Sequence, residues 1–299
     1  MIAVVGGGLI GSAIAFELSQ AGADVVVLDA AKPGAAWRAG AGMLSPSGER
    51  LAGTLLEPLA AQSLRLWPDF ARRLAAASGL AVPWQPGIAP VEYGSGQSSA
   101  PATAGEATTH PPSVVRAARS GLDLRRSEVS ALEWRRSGVR LHTSQGSLNA
   151  ERVVLAAGAW SGRFGLPVFL VRGQALLWPD AAPLPARYSR KQRGFPLYGL
   201  PRPDGQYTGA TARLHCWEAG ALPHDSRWLR QAAARLWPEA APAQPEQMLV
   251  GLRPCTPDGL PITGPLAGWA GRVWAATGHG RHGALLAPLT ARHLAEELL

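Results

Sequence analysis

A glycine-rich turn between two short apolar runs constrains the fold more than any other feature of the chain. The turn, Gly6-Gly7-Gly8-Leu9-Ile10-Gly11, follows the apolar run Ile2 to Val5 and leads into residues with helical spacing. A second apolar run, Val25 to Leu28, ends at Asp29, so this segment predicts a βαβ unit. Its first glycine permits a tight turn, the second lets the backbone approach a pyrophosphate, and the third allows close packing of helix on strand. We therefore predict that a dinucleotide is bound by Gly6, Gly8, Leu9, Ile10 and Gly11.

The acid that closes the second strand narrows the choice of dinucleotide. Asp29 stands 18 residues after Gly11. A carboxylate at this distance accepts hydrogen bonds from the ribose hydroxyls of adenosine and disfavours a 2′-phosphate, which argues against NADP. The turn and the acid do not by themselves separate FAD from NAD.

The composition is that of an ordinary globular protein, with 46% hydrophobic and 17% charged residues among 299. This length suffices for one large domain or two moderate ones. Met1 to Gly6 contain no basic leader, and Ile2 to Phe16 is too short and too rich in glycine to span a bilayer, so we expect a cytoplasmic protein without a membrane segment. Cys216 and Cys255 form no CxxC or Cys/His pattern, which predicts neither a metal site nor a disulfide scaffold.

The formal charge of +8 makes a nucleic-acid partner worth considering. The basic residues are spread along the chain, however, and no nucleic-acid-binding signature accompanies them. Lys32 and Lys191 are the only lysines, so the charge is nearly all arginine and resembles a compositional bias. We therefore do not expect a nucleic acid to be the partner.

The remaining periodicity predicts an α/β fold with two kinds of sheet. The end of the chain repeats the theme of its beginning, with a strand at 272–276, a glycine-rich turn and a helix at 284–299. A second, mainly antiparallel sheet is predicted from Phe169 to Trp178, Gly199 to Thr211 and Met248 to Arg253.

Several further segments carry a resemblance to a known family. Residues 33–46, PGAAWRAGAGMLSP, are small enough for backbone N–H groups to reach a flat cofactor ring. Residues 251–261, GLRPCTPDGLP, are the most specific stretch, and residues 275–288, AATGHGRHGALLAP, come last. With VVLAAGAWS at 153–161, these segments resemble the signatures of the glycine oxidases of the D-amino-acid oxidase superfamily.

This resemblance implies FAD as the cofactor. We expect the FAD to be non-covalent, because Cys255 is offset from the position at which some sarcosine oxidases attach flavin. The last turn would bring a helix N-terminus to the pyrimidine side of the flavin, where its partial positive charge stabilises the reduced ring. The residues implied are Ala41, Gly42, Met43 and Leu44 beside the flavin, Val129 near the adenine, Ala157, Gly158 and Trp160 along the dinucleotide, and Gly278, His279, Gly280, Arg281, His282 and Gly283 at the pyrimidine side.

The resemblance also implies which residues bind the substrate. Arg253 would pair bidentately with the carboxylate of the substrate, a task that suits a planar guanidinium. Tyr198 would add a hydroxyl, and Arg281 would be a second cation on the carboxylate side. The implied reaction is the oxidation of glycine, sarcosine or a small D-amino acid by dioxygen. It yields hydrogen peroxide and an imine, which hydrolyses to glyoxylate or supplies the thiazole ring in thiamine biosynthesis.

The implied architecture is a Rossmann-like FAD-binding domain of the GR2 type with an α+β substrate domain. Residues 1–78, 109–165 and 248–299 would form the first, and residues 79–108 and 166–247 the second. Residues 80–110 look shorter than in relatives, which leaves an inactive flavin-binding protein open. A sarcosine or D-amino-acid oxidase or dehydrogenase also stays open, as does an RNA-modification flavoprotein. The number of subunits is open as well, a homo-oligomer included.

Overall fold

The computed structural model describes residues 1–92, 100–179, 181–182, 184–189, 197–236 and 246–299. These residues contain five α-helices, nineteen strands and two short 3-10 helices, Ala36–Ala39 and Gly158–Phe164. The helices are α1 (Leu9–Gln20), α2 (Glu57–Ser78), α3 (Pro111–Ala118), α4 (Pro223–Leu236) and α5 (Gly283–Leu298). The strands are β1 (Ile2–Val5), β2 (Val25–Leu28), β3 (Met43–Leu44), β4 (Trp84–Pro86), β5 (Ala89–Val91), β6 (Ala107–Thr109), β7 (Asp123–Arg125), β8 (Val129–Arg135), β9 (Gly138–Thr143), β10 (Gly146–Ala150), β11 (Arg152–Leu155), β12 (Phe169–Trp178), β13 (Arg187–Ser189), β14 (Tyr198–Arg202), β15 (Gly205–Gly209), β16 (Arg213–Leu214), β17 (Gln247–Cys255), β18 (Ile262–Pro265) and β19 (Val273–Thr277).

The predicted βαβ unit forms and lies within a six-stranded sheet. The strand order is β18-β19-β11-β1-β2-β7, and the pairs are parallel apart from β18 with β19. Val5 pairs with Leu155 on one side and with Leu28 on the other, so β1, β2 and β11 end together at the glycine turn. β1 and β2 are apolar along their whole length because both faces of a parallel sheet are covered.

Different layers cover the two faces of this sheet. Helices α1, α2, α3 and α5 pack on one face, where Ile14, Trp67 and Leu286 belong to one buried cluster. The antiparallel sheet β8-β9-β10 covers the other face, with Leu141 buried against the cluster that contains Val5. Burial of each such side chain stabilises the fold by about 1.5–3 kcal/mol. The parallel strands are therefore held rigidly, with their carboxyl ends open to a ligand.

A mainly antiparallel sheet forms the second half of the predicted architecture. Its order is β16-β12-β15-β14-β13-β5. Strands β15 and β16 pair with one edge of β12, and β17 pairs with the opposite edge of β12. Among its described strands only β5 and β13 run parallel. Helix α4 packs on this sheet through Leu229 and Leu236, which are buried with Trp178. The α/β fold with a Rossmann-like sheet and a second, mainly antiparallel sheet is thus confirmed.

The segment predicted at 79–108 contributes to two different sheets. Strand β6 pairs with β3 on one side and with β4 on the other in a small sheet, whereas β5 adds to the edge of the antiparallel sheet. Met43 pairs with Thr108, which ties the predicted flavin-side residues to this segment. The division into two domains at the boundaries expected from the sequence stays a prediction.

Candidate active site

One long cleft runs from the glycine turn to the antiparallel sheet. Its volume is about 1590 Å³, with the open mouth included. Residues at the ends of β1 and β2 line one end, and residues of β12, β14, β15 and β17 line the other. Open α/β sheets bind ligands at the carboxyl ends of their strands, so the cleft lies where the sequence predicts the dinucleotide.

The glycine turn has a geometry that requires glycine. Gly6 has a φ of +103°, and a β-carbon on it would fall 2.4 Å from the carbonyl oxygen of Ala156. A β-carbon on Gly11 would fall 1.9 Å from the carbonyl oxygen of Gly6, so α1 packs directly on the end of β1. No described side chain caps α1, and the first bond of the helix runs from the backbone N–H of Ser12 to the carbonyl oxygen of Gly8. The N–H groups of the first turn are therefore available for phosphate oxygens.

Asp29 is held against this turn by an arginine that the sequence analysis missed. The Oδ1 atom of Asp29 accepts the N–H of Ala31 at 3.1 Å, and its Oδ2 accepts a bond from Arg119 at 2.6 Å. Arg119 also donates through Nε to the carbonyl oxygen of Gly7 at 2.8 Å. Burial lowers the pKa of Arg119, and the charge of Asp29 opposes this shift. No sequence pattern indicates Arg119, because 90 residues separate it from Asp29.

Trp37 forms the neighbouring wall of the cleft. The guanidinium carbons of Arg38 and Arg119 lie 4.8 Å and 5.3 Å from its ring centroid. A β-carbon on Gly8 would lie 3.4 Å from Cδ1 of Trp37, so the ring is in contact distance of the turn. These cation–π contacts fix the ring beside the predicted phosphate position.

The predicted adenine side is built around Val129, the first residue of β8. Val129 lines the cleft together with Ser127 and Glu128. Glu128 forms an ion pair with Lys32 at 2.7 Å and another with Arg163. The first pair joins the loop after β2 to the residue that precedes β8, and the second joins that residue to the segment after β11.

The predicted flavin-side residues lie in the middle of the cleft. Gly42 has a φ of +81°, and a β-carbon on it would fall 1.9 Å from the carbonyl oxygen of Thr109. Leu44 is completely buried and packs in the core behind the wall. The predicted residues that line this part of the cleft are Ala41, Gly42, Met43, Ala157, Gly158 and Trp160.

The last glycine turn brings the N-terminus of α5 to the cleft. The N–H of Gly280 donates to the carbonyl oxygen of Pro254 at 2.6 Å, which attaches the turn to β17. Gly278 has a φ of +79°, and a β-carbon on it would fall 2.6 Å from Cγ2 of Thr256. Gly283 and Ala284, the first residues of α5, line the cleft, so the positive end of the helix dipole lies at its wall, and no described side chain caps it.

His279 enters this turn as a buried, neutral imidazole. The residue is 4% exposed, and its Nε2 lies 3.0 Å from Oγ1 of Thr290. Burial, followed by the charge of His282, lowers the pKa of His279 to about 3. The ring is therefore uncharged near neutral pH and connects the turn to α5.

Arg253 and Tyr198 meet at the other end of the cleft. The Nη1 atom of Arg253 donates to the carbonyl oxygen of Thr211 at 3.2 Å. Burial raises the pKa of Tyr198, and the positive charge of Arg253 opposes this shift. The phenol therefore stays protonated and can donate a hydrogen bond to an anion beside the guanidinium. The structure brings together these two residues that the sequence analysis singled out for carboxylate binding.

Tyr207, which no motif indicates, supports Tyr198 from behind. The two rings are stacked, with centroids 6.1 Å apart and an interplanar angle of 1°. The hydroxyl of Tyr207 donates to the carbonyl oxygen of Ala39 at 3.0 Å, and the guanidinium carbon of Arg202 lies 5.2 Å from its ring centroid. Arg202 is paired with Asp204 at 2.7 Å. Tyr198 is therefore held in place by the ring of Tyr207, which is itself packed against the buried guanidinium of Arg202.

Arg281 also lines the cleft, but a buried carboxylate holds it. Its Nε lies 2.7 Å from Oε2 of Glu49, and its Nη2 donates to the carbonyl oxygen of Glu49 at 2.6 Å. The Nε2 atom of His282 lies 3.5 Å from the same carboxylate. No motif indicates Glu49, although it follows the Gly42-Met43-Leu44 segment closely.

Most of the predicted site residues line this cleft. Gly11, Leu44, Gly278 and His282 lie behind its wall, where they shape the two turns and the core. The wall also contains residues that were not predicted, among them Lys32, Trp37, Glu49, Glu128, Gly173 and Tyr207.

These residues fit FAD. The cleft offers helix N-termini at two places, the carboxylate of Asp29 at the predicted ribose position, and tight turns at Gly6 and Gly42 in which a β-carbon would clash with a neighbouring backbone carbonyl. Burial raises the pKa of the Cys255 thiol, which disfavours the thiolate that covalent attachment requires.

Neither a membrane span nor a metal-binding cluster is found in the described part of the chain. Its helices are all too short or too polar to cross a bilayer. Across the same residues, no three His, Cys, Asp or Glu side chains converge as metal ligands.

Comparison with known proteins agrees with this geometry. The family described as FAD dependent oxidoreductase (DAO) matches residues 1–114 and 100–297. The glycine oxidase of Pseudomonas aeruginosa is 32% identical over 346 aligned positions, which cover 99% of this chain and 93% of that protein. The bifunctional protein ThiO/ThiG of a Synechocystis species is 33% identical over 100% of this chain, which spans 51% of that protein.

A solved structure extends the likeness to three dimensions. The glycine oxidase of Geobacillus kaustophilus superposes with a TM-score of 0.86 at 27% identity, covering 99% of this chain and 93% of that one. The chain therefore belongs to the DAO family of FAD dependent oxidoreductases, has FAD as its cofactor, and is an amine oxidase of the glycine oxidase-like kind.

Proposed function

We propose that the chain oxidises glycine, and with it sarcosine or small D-amino acids, to the imine, with dioxygen as the electron acceptor. The observation that carries the proposal is the pairing of Arg253 with the protonated Tyr198 at the end of the FAD cleft. A planar guanidinium beside a hydroxyl donor suits one carboxylate. The likeness to glycine oxidases supports a small amino acid as the ligand.

The residues of the chain act in this reaction mainly by positioning. Arg253 binds the carboxylate through two N–H groups, and Tyr198 donates its hydroxyl proton to the same group. The amine and the α-carbon then point into the cleft, and this fixed orientation lowers the entropic part of the barrier. When bound, FAD supplies the two-electron acceptor, and dioxygen reoxidises it to give hydrogen peroxide.

No side-chain base is required if the amine binds in its neutral form. Among the described residues that line the substrate end, Glu49 provides the one carboxylate. This carboxylate is already paired with Arg281. The imine leaves the site and hydrolyses to glyoxylate and ammonia.

A role in thiamine biosynthesis follows as part of the same proposal. Relatives named ThiO/ThiG carry a region like this chain within a protein about twice as long. An imine that is unstable in water suits a partner that consumes it in thiazole synthesis. We propose that this chain supplies the imine to such a partner.

The visible spectrum of the purified protein tests the proposal first. We expect flavin bands that bleach when glycine is added without oxygen, and formation of hydrogen peroxide and glyoxylate when air is admitted. Bands that persist with glycine, sarcosine and D-alanine would contradict the substrate class while leaving the cofactor in place. Peroxide formation in an oxygen electrode distinguishes an oxidase from a dehydrogenase that uses another acceptor.

A further inference from the structure

The ion pair between Glu49 and Arg281 lies at the same end of the cleft as Arg253. The side chain of Glu49 is 6% exposed and that of Arg281 is 23% exposed. Both residues line the cleft. The carboxylate is therefore held within the site, where water screens it weakly.

The three charged groups act on one hydroxyl, that of Tyr198. The charges of Arg253, Glu49 and Arg281 all act on the pKa of Tyr198, after the larger effect of its burial. Among the described residues that line this end of the cleft, two are cations and one is an anion. Their sum is a single positive charge, which matches one carboxylate.

We propose that Glu49 is a specificity-determining residue that restricts the site to ligands with one carboxylate. By cancelling the charge of Arg281, Glu49 leaves Arg253 as the anchor for the carboxylate of an amino acid. A second carboxylate that approached Arg281 would meet the like charge of Glu49. The inference rests on the proposed function and assigns to Arg281 a partner within the protein in place of the substrate.

The physical reason is the cost of a like charge in a site with little water. An arginine with a carboxylate 2.7 Å from its Nε has its charge already compensated. Rejection by a repulsive group is a general way to obtain specificity, because it penalises the wrong ligand without a new contact to the right one. The charged side chain of Glu49 thus selects against dicarboxylates.

Glu49→Gln tests the proposal, because glutamine keeps the shape and removes the charge. Acetate and malonate serve as probes with one and two carboxylates, and their dissociation constants are measured from changes in the flavin spectrum. We expect the affinity for malonate relative to acetate to rise at least tenfold, or about 1.4 kcal/mol. A ratio that stays within about twofold of the wild-type ratio, a difference below roughly 0.4 kcal/mol, would overturn the proposal.

Two further variants make the test specific to the charge pair. Glu297→Gln, an exposed position on α5, removes the same charge outside the cleft and should leave the ratio unchanged. The double variant Glu49→Gln with Arg281→Gln restores the net charge of the site, so its ratio should return to the wild-type value. A double variant that kept the enhanced malonate affinity would contradict the role of Arg281.

Outcomes at the level of folding and of activity are also decisive. If Glu49→Gln fails to yield a flavoprotein, Arg281→Gln alone leaves Glu49 uncompensated and should weaken acetate binding at least tenfold; unchanged acetate binding would refute the proposal. Anion binding does not require turnover, so the test stands even if glycine proves not to be a substrate. Conversely, if the wild type turns over glycine but Glu49→Gln has an unchanged ratio of malonate to acetate affinity, the proposed function stands and the role of Glu49 in specificity is refuted.

Discussion

The guanidinium of Arg253 on β17 lies directly over Gly173 on the neighbouring strand β12. A β-carbon on Gly173 would fall 2.2 Å from Nη1 of Arg253 and 2.3 Å from its Cζ. The backbone register places Arg253 opposite Val171, so its side chain reaches along the strand to the glycine. The position of Arg253, the predicted carboxylate anchor, therefore requires a residue without a side chain at position 173 of the neighbouring strand.

Gly173→Ala should displace Arg253 while the fold and FAD binding persist. A misplacement of about 1 Å at such a group costs on the order of 100-fold in rate, so we expect kcat/KM for glycine to fall by roughly that factor. Steady-state kinetics and the flavin spectrum measure the two effects separately. Gly220→Ala is the matched control, since its new methyl group would meet the flexible end of Glu218, and it should keep near wild-type activity. Equal activity of the two variants would show that Arg253 does not need this space.

Arg253→Ala should abolish most of the carboxylate affinity without loss of flavin. Removing one partner of a desolvated ion pair costs roughly 2 to 5 kcal/mol, or on the order of 30-fold to several thousand-fold. The measurement is kcat/KM for glycine together with the FAD content. Arg292→Ala, at an exposed ion pair on α5, should change neither quantity. Unchanged glycine turnover in Arg253→Ala would remove Arg253 from the site.

Arg119→Gln should weaken FAD binding. The arginine holds both the carboxylate of Asp29 and the carbonyl oxygen of Gly7, so its loss releases the ribose-binding acid from the turn. We expect the dissociation constant of FAD to rise about tenfold, the effect of one charge-assisted hydrogen bond. Titration of the apoprotein with FAD measures this value. The control Arg116→Gln, on the exposed side of α3, should bind FAD as the wild type does.

His279 should make the protein less stable in mild acid. The unfolded chain binds a proton at this residue below a pH of about 6.5. The folded protein does so only below about 3, so between these values the unfolded state holds the extra proton. The free energy of unfolding therefore decreases as the pH is lowered. His279 contributes about 1 kcal/mol to the decrease between pH 7 and pH 5.5.

Urea unfolding of the wild type and of His279→Gln at these two pH values measures that contribution. Glutamine has no titration in this range and can keep a hydrogen bond to Thr290. The loss of stability between pH 7 and pH 5.5 should therefore be smaller in the variant by about 1 kcal/mol. Equal losses in the two proteins would mean that the imidazole of His279 takes up a proton in the folded state.

The sequence alone determined the features that depend on neighbouring residues. Glycines at Gly6 and Gly11, the apolar strands around them and Asp29 predict the βαβ unit, and each has the conformation or packing that the pattern requires. Local signals suffice here because turn geometry and helix-on-strand packing are set within about thirty residues of chain.

Only the tertiary structure decided which charged groups meet. Arg281 finds Glu49 across 232 positions and Asp29 finds Arg119 across 90, while Arg253 takes its position from Gly173 on a paired strand. No local pattern encodes such pairs, because they depend on how separate elements pack. A motif could therefore indicate Arg281 as an arginine at the substrate end. Whether its charge was available to a ligand depended on Glu49, which only the packing of the chain brought beside it.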